Sequence, residues 1–153
     1  MAMSPACVPA QCAIADYLEH GDYDRLLRKL RRDLALLQAQ TIDAVSRYFP
    51  KGTSVVRPPG GFFLWVKLPD GVDAMRLFEI AEANDLAIAP GAIFSRSSEY
   101  RHHVRLNYGR PWTPDVEREL RTLGKLAWRV AAERVAAANC GREGPEHMAG
   151  EEP

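Results

Sequence analysis

Two short apolar segments, far apart in the chain, constrain the fold most. Pro59-Gly60-Gly61 turns directly into Phe62-Phe63-Leu64-Trp65-Val66-Lys67-Leu68, and His103-Val104-Arg105-Leu106-Asn107-Tyr108 comes much later. Both read as strands, because β-branched and aromatic residues suit a pleated, half-buried surface. Alternation puts Phe62, Leu64, Val66 and Leu68 on one face of the first and Phe63, Trp65 and Lys67 on the other, so both faces are expected to be largely covered. In the second, Val104, Leu106 and Tyr108 share a face, and His103, Arg105 and Asn107 lie opposite. A guanidinium fixed on a strand can grip a carboxylate through two parallel hydrogen bonds. Arg105 is therefore expected on an inner strand, directed to an open concavity.

The segments around these strands are mostly helical. Residues 11–20 predict a short helix stopped by Gly21. Asp22 or Asp24 then caps a longer one, whose Leu26, Leu30, Leu34, Leu37 and Val45 recur near the helical period until Phe49-Pro50-Lys51-Gly52. At 1.5 Å per residue it runs about 35–40 Å, the length of a strut between two regions. Residues 53–56 predict a strand. Asp73 opens a helix striped with Ala74, Leu77, Phe78 and Ala81, and residues 86–89 predict a short buried strand before Pro90-Gly91. Thr113-Pro114-Asp115 combines a capping hydroxyl, a proline at the first position and an acid in the first turn, so it starts the last helix, with Val116, Leu120, Leu123, Ala127 and Val130 along one side. The order α-α-β-β-α-β-β-α gives an α+β fold in which helices cover a small, mostly antiparallel sheet. It divides into an N-terminal extension (1–9), a helical strut (10–50), an α+β domain (51–139) and a disordered tail (140–153).

Composition excludes several functions. Lys+Arg and Asp+Glu both number 20 in 153 residues, so no global field attracts nucleic acid. The basic run Arg25, Arg28, Lys29, Arg31 and Arg32 is interspersed with acids and reads as a solvated helix face. No apolar run is long enough to cross a bilayer, and the N-terminus has no signal-peptide pattern. The three cysteines, Cys7, Cys12 and Cys140, have no metal or redox spacing, which fits a reduced, cytoplasmic protein.

No nucleophile stands out, whether in a G-x-S-x-G pattern, a positioned cysteine or a paired carboxylate. Lys29, Lys51, Lys67 and Lys125 sit on a helix, in a turn, at a strand end and on the last helix, none in a pocket-forming context. Gly60-Gly61 lacks the lysine and helix of a phosphate loop, so it reads as a turn needing positive φ or room for a close neighbour. His102 and His103 lack Cys or acidic partners for a metal and read as strand-edge residues. For the face carrying Arg105, spacing leaves two readings open, a solvated or ion-paired strand face and an anion site with Asn107 as a secondary contact.

Taken in order, residues 59–69, 81–94 and 104–108 resemble the C-terminal part of fold-type I, pyridoxal-phosphate-dependent aminotransferases. Residues 11–18 with 21–31 are similar to the MocR branch of GntR-type transcriptional regulators, in which an aminotransferase-like domain follows a winged-helix DNA-binding domain. The likeness runs from about Pro9 to Ala138. It implies that Arg105 binds the α-carboxylate of an amino-acid substrate or effector, that Asn107 adjoins it, and that Gly60, Gly61, Pro90 and Gly91 form turns shaping the cleft. It also implies that the Schiff-base lysine and the other pyridoxal phosphate contacts belong to a large domain outside this chain. The chain is then a fragment, without covalently bound cofactor and inactive by itself. Its expected partners are an amino-acid-like ligand, the missing large domain and a second copy in a homodimer, with no direct contact to nucleic acid or membrane. Apolar positions at Ile14, Tyr17, Leu18, Leu26, Leu27 and Leu30 would meet the large domain or the dimer mate. The parent is such a regulator, or alternatively a free-standing class I/II aminotransferase, or a structural domain with Arg105 in a salt bridge.

Overall fold

The computed structural model describes residues 7–21, 23–95 and 97–140. Most of the expected N-terminal extension, the expected cap Asp22 and the tail beyond Cys140 lie outside them. The elements are α1 (Val8–His20), α2 (Tyr23–Tyr48), β1 (Ser54–Val56), β2 (Phe63–Lys67), α3 (Ala74–Glu82), β3 (Ala89–Pro90), β4 (His103–Asn107) and α4 (Pro114–Cys140). Two short 3-10 turns, Gly91–Phe94 and Ser98–Tyr100, connect β3 to β4. This is the α+β order expected from the sequence.

The four strands lie in the order β1-β2-β4-β3, and every neighbouring pair is antiparallel. β4 is thus an inner strand, with Arg105 directly opposite Trp65 on β2 and Ala89 on β3. One face of the sheet, carrying Leu64, Val66, Val104 and Leu106, is buried. It forms one core with Val45 of α2, Phe49 just after that helix, Leu77 and Ala81 of α3, and Leu123, Ala127 and Val130 of α4. All the helical contribution to the core falls on this side.

The other face is barer than the alternation suggests. Phe63, Trp65, His103 and Arg105 are half-buried there, and Val56, Lys67 and Asn107 are exposed. Phe62, expected on the covered face, is also exposed. It precedes the strand, its carbonyl accepts from Tyr108 N at 2.9 Å, and its ring lies against that of Phe63 at 4.4 Å. The strand expected at 86–89 shrinks to Ala89–Pro90. After α3 the chain turns through Asp85 at φ 57, and Leu86 N donates back to Ala81 O. Leu86 and Ile88 pack against the helical core instead of pairing, and Pro90 has no N–H to donate, which restricts such a strand to a sheet edge. α1 begins at Val8, three residues before the expected start, because Pro9 is tolerated in a first turn.

Capping locks α3 to β4. Asp73 accepts from Met75 N at 2.9 Å and Arg76 N at 3.3 Å, while its other oxygen takes Arg101 Nε at 2.7 Å. Burial alone would raise this carboxyl, but the Arg101 hydrogen bond and the two backbone N–H groups outweigh it and hold it below its ordinary value. α2 splits into two halves. Gln38, Thr41, Ala44 and Val45 are buried in the core, whereas Leu26 and Leu30 are 51% and 46% exposed. α1 buries no residue, and its Ile14, Tyr17 and Leu18 are all exposed.

Candidate functional site

The bare sheet face gathers the chemistry. Antiparallel pairing brings Trp65 directly across from Arg105 and Phe63 diagonal to it. The 3-10 turn after β3 adds Phe94 from above. The Arg105 guanidinium carbon lies 4.3 Å from the Phe63 ring centre and 4.5 Å from that of Phe94. Among the described residues no ring contact joins Phe63 to Phe94, so each meets the guanidinium separately. No carboxylate among the described residues pairs with Arg105, and no hydrogen bond consumes its N–H groups. Sequence reading places Arg105 on this face but misses its aromatic flank. Phe63 follows from alternation once the β2–β4 register is known, whereas Phe94 arrives through a turn that leaves no periodic signal.

A second aromatic group continues from the first. Trp65 meets Phe94 edge-on at 5.6 Å and Tyr100 at 5.4 Å, and the His103 ring stacks on Trp65 at 5.8 Å. His103 is therefore no strand-edge residue; it heads an inner strand opposite Lys67. Its Nδ1 is buried without a partner among the described residues. Burial lowers its pKa, the charges of Lys67 and His102 lower it further, and Glu99 acts weakly the other way. His102 points elsewhere, its Nδ1 lying 2.8 Å from Val72 O.

The remaining expected residues have separate local roles. Asn107 is exposed, and its side-chain oxygen accepts from Gly109 N at 2.7 Å. That oxygen is committed to the turn after β4, so only the amide nitrogen is left for a ligand. Gly61 has φ +89 and its carbonyl accepts from the Tyr108 hydroxyl at 2.8 Å; a Cβ at either Gly60 or Gly61 would meet nothing within 4 Å. Both line a cavity of about 200 Å³ with Arg31, Leu34 and Gln38 of α2, and Arg105 is not part of its wall. A second cavity of about 210 Å³ lies among β4, α2 and α4, near Leu106, Trp112 and Leu120. Gly91 is required by close approach. A Cβ there would stand 2.4 Å from Tyr100 O and 2.8 Å from Tyr100 Cβ.

All four lysines are exposed: Lys29 on α2, Lys51 in the turn before β1, Lys125 on α4, and Lys67 at the end of β2 across from His103. Among the described residues neither an enclosed lysine nor a phosphate-binding turn adjoins Arg105, so these residues do not build a pyridoxal phosphate site by themselves.

No protein-family model matches the chain. In sequence it is similar to the uncharacterized HTH-type transcriptional regulator YdcR of Escherichia coli, 36% identical over 118 residues that cover 77% of this chain and 25% of that protein. The uncharacterized HTH-type transcriptional regulator YjiR of the same organism is 33% identical over 134 residues, 84% of this chain and 28% of that protein. In structure the chain is similar to LysN, an α-aminoadipate aminotransferase of Thermus thermophilus solved in complex with N-(5'-phosphopyridoxyl)-L-leucine. The TM-score is 0.67 at 29% identity, over 78% of this chain and 31% of that one. The chain thus spans about a quarter of the length of the curated relatives it matches. Its relatives and its fold identify it as a small α+β domain of the aminotransferase-like family, with counterparts in such HTH-type regulators and in aminotransferases.

Proposed function

We propose that this chain is the C-terminal segment of the pyridoxal-phosphate-binding, aminotransferase-like domain of a MocR-type GntR regulator, and that Arg105 grips the carboxylate of an amino-acid-like substrate or effector. One observation carries the ligand role. Arg105 stands on an inner strand, on the sheet face that the helices leave bare, and no acid among the described residues occupies its N–H groups. A structural arginine at such a position would be expected to hold an ion pair, since a half-buried unpaired charge is unfavourable. Pyridoxal phosphate would be held by residues outside this chain, because the lysines here are exposed and scattered. The chain's part is to supply the carboxylate anchor and the wall around it. The bare apolar surface of α1 and the first half of α2 would be covered by the large domain or by a second copy in a homodimer.

The test is substitution in the protein that carries the whole domain. Arg105→Lys keeps the charge and loses the planar fork, so amino-acid affinity should fall roughly tenfold or more. Unchanged affinity for every amino acid, with the strand intact, would remove the carboxylate role.

A second reading, a free-standing aminotransferase, is supported by the likeness to LysN. The coding sequence upstream of Met1 separates the two. A winged-helix segment there supports the regulator, and an uninterrupted aminotransferase start supports the enzyme.

A further inference from the structure

Resting on the reading of Arg105 as the carboxylate anchor, we propose that Phe63 and Phe94 are its positioning residues. They orient the guanidinium so that a ligand can meet it only edge-on, in the guanidinium's own plane. The site then takes a carboxylate presented as a fork and excludes ligands that would stack on the guanidinium.

A fork-to-fork contact needs the guanidinium plane fixed beforehand, because an arginine side chain has many rotamers to lose. The usual device is an acidic or carbonyl partner, but that partner competes with the ligand for the same N–H groups. Here the described residues provide no such partner. Two ring faces at 4.3 and 4.5 Å take its place. Ring faces attract the cation through their quadrupole and leave its N–H donors unused.

The two rings are themselves held. Phe63 is fixed by its strand, diagonal to Arg105 in the β2–β4 register. Phe94 sits at the end of the turn that starts at Gly91, and that turn lies against Tyr100 only because Gly91 has no Cβ. Phe94 also meets Trp65, the residue opposite Arg105, edge-on at 5.6 Å. Phe94 is nevertheless 44% exposed and absent from the hydrophobic core. Its contacts are with Trp65 and Arg105 on this face, not with the helical core.

The experiment uses the 153-residue chain labelled with ¹⁵N, observing the arginine Nε–Hε resonances while titrating with propionate. In the wild type, the Arg105 Hε signal should be displaced by the neighbouring rings. Phe94→Leu should return it toward the position of a free arginine and weaken propionate binding about fivefold. Phe94→Tyr should restore both, and Gly91→Ala, where folded, should behave like Phe94→Leu. The exposed Phe94 can be changed without opening the core, so backbone amide dispersion should persist in Phe94→Leu. If Phe94→Leu keeps the wild-type Hε position and propionate affinity while Arg105→Lys loses binding, the positioning role is overturned and the anchor stands. If Arg105→Lys binds propionate as the wild type does, the anchor reading fails instead. The displaced Hε signal then still reports whether the rings hold the guanidinium.

Discussion

Gln38 and Tyr108, 70 positions apart, meet through a single hydrogen bond: Gln38 Nε2 donates to the Tyr108 hydroxyl at 3.2 Å. Around that bond every polar atom is used. Gln38 Nε2 also donates to Pro58 O, Gln38 Oε1 accepts from Arg57 Nε, and the Tyr108 hydroxyl donates to Gly61 O. The knot ties α2 to the glycine turn and to the end of the strand that carries Arg105. Tyr108→Phe leaves the Gly61 carbonyl and one Gln38 donor unmatched, and should destabilise the chain by about 1–3 kcal/mol. Urea unfolding checks this, with a lower midpoint and an unchanged slope expected.

The two turn glycines should answer differently to alanine. At Gly61, φ +89 is strained for any side chain, so Gly61→Ala should cost about 1–2 kcal/mol. Gly60 has nothing within 4 Å of a new Cβ and no positive φ in the disfavoured range, so Gly60→Ala should be neutral or stabilising by up to about 1 kcal/mol. Parallel melts of the two variants decide it. Equal losses would show that the turn, rather than φ at Gly61, sets the cost.

His103 predicts a pH dependence. Its folded pKa is lowered, chiefly by burial, so the folded state binds its proton less readily than the unfolded state does. Stability from this group is full above the unfolded value of about 6.5 and declines as pH falls from there through the folded value. Asp73, also lowered, acts in the same direction but at lower pH, its contribution fading as pH drops below about 4. Denaturant titrations should therefore show stability declining below about pH 6.5 in the wild type. His103→Phe should remove that first decline and leave the Asp73 region intact.

Pyridoxal phosphate followed by borohydride should label this chain sparsely across its exposed lysines, with no stoichiometric label at one site. Peptide mapping provides the readout. One fully labelled lysine among Lys29, Lys51, Lys67 and Lys125 would contradict a cofactor site outside the chain.

The bare helices predict self-association. Ile14, Leu18, Leu26 and Leu30 form an apolar surface that nothing in the described chain covers. Sedimentation at rising concentration should show a dimer, and Leu26→Ser with Leu30→Ser should shift it toward monomer. A monomer at every concentration would overturn the homodimer reading of that surface.

Much of this molecule is legible from local chemistry. Thr113-Pro114 and Asp73 start helices because caps act within one turn, and Thr113 Oγ1 does accept from Val116 N. Alternation sorts Val104 from Arg105 because strand period is a local property. The 86–89 segment misleads because an apolar run does not say whether it pairs or packs. Its neighbour β4 already has β2 on one side, and only Ala89–Pro90 reaches the other. The aromatic flank of Arg105 stays hidden for a similar reason. Phe94 and Arg105 meet because Gly91 lets one turn lie on another, a tertiary fact with no periodicity to betray it.

Because α2, α3 and α4 all pack on one side of the sheet, odd and even positions along β2 and β4 answer to different selective demands. Leu64, Val66, Val104 and Leu106 can change only at the expense of folding. Phe63, Trp65, His103 and Arg105 stand outside that core and pack on one another and on the turns instead. Side-chain chemistry can thus drift along one side of a single strand while the other stays fixed. A scaffold divided in this way can have one face recut without the other being rebuilt.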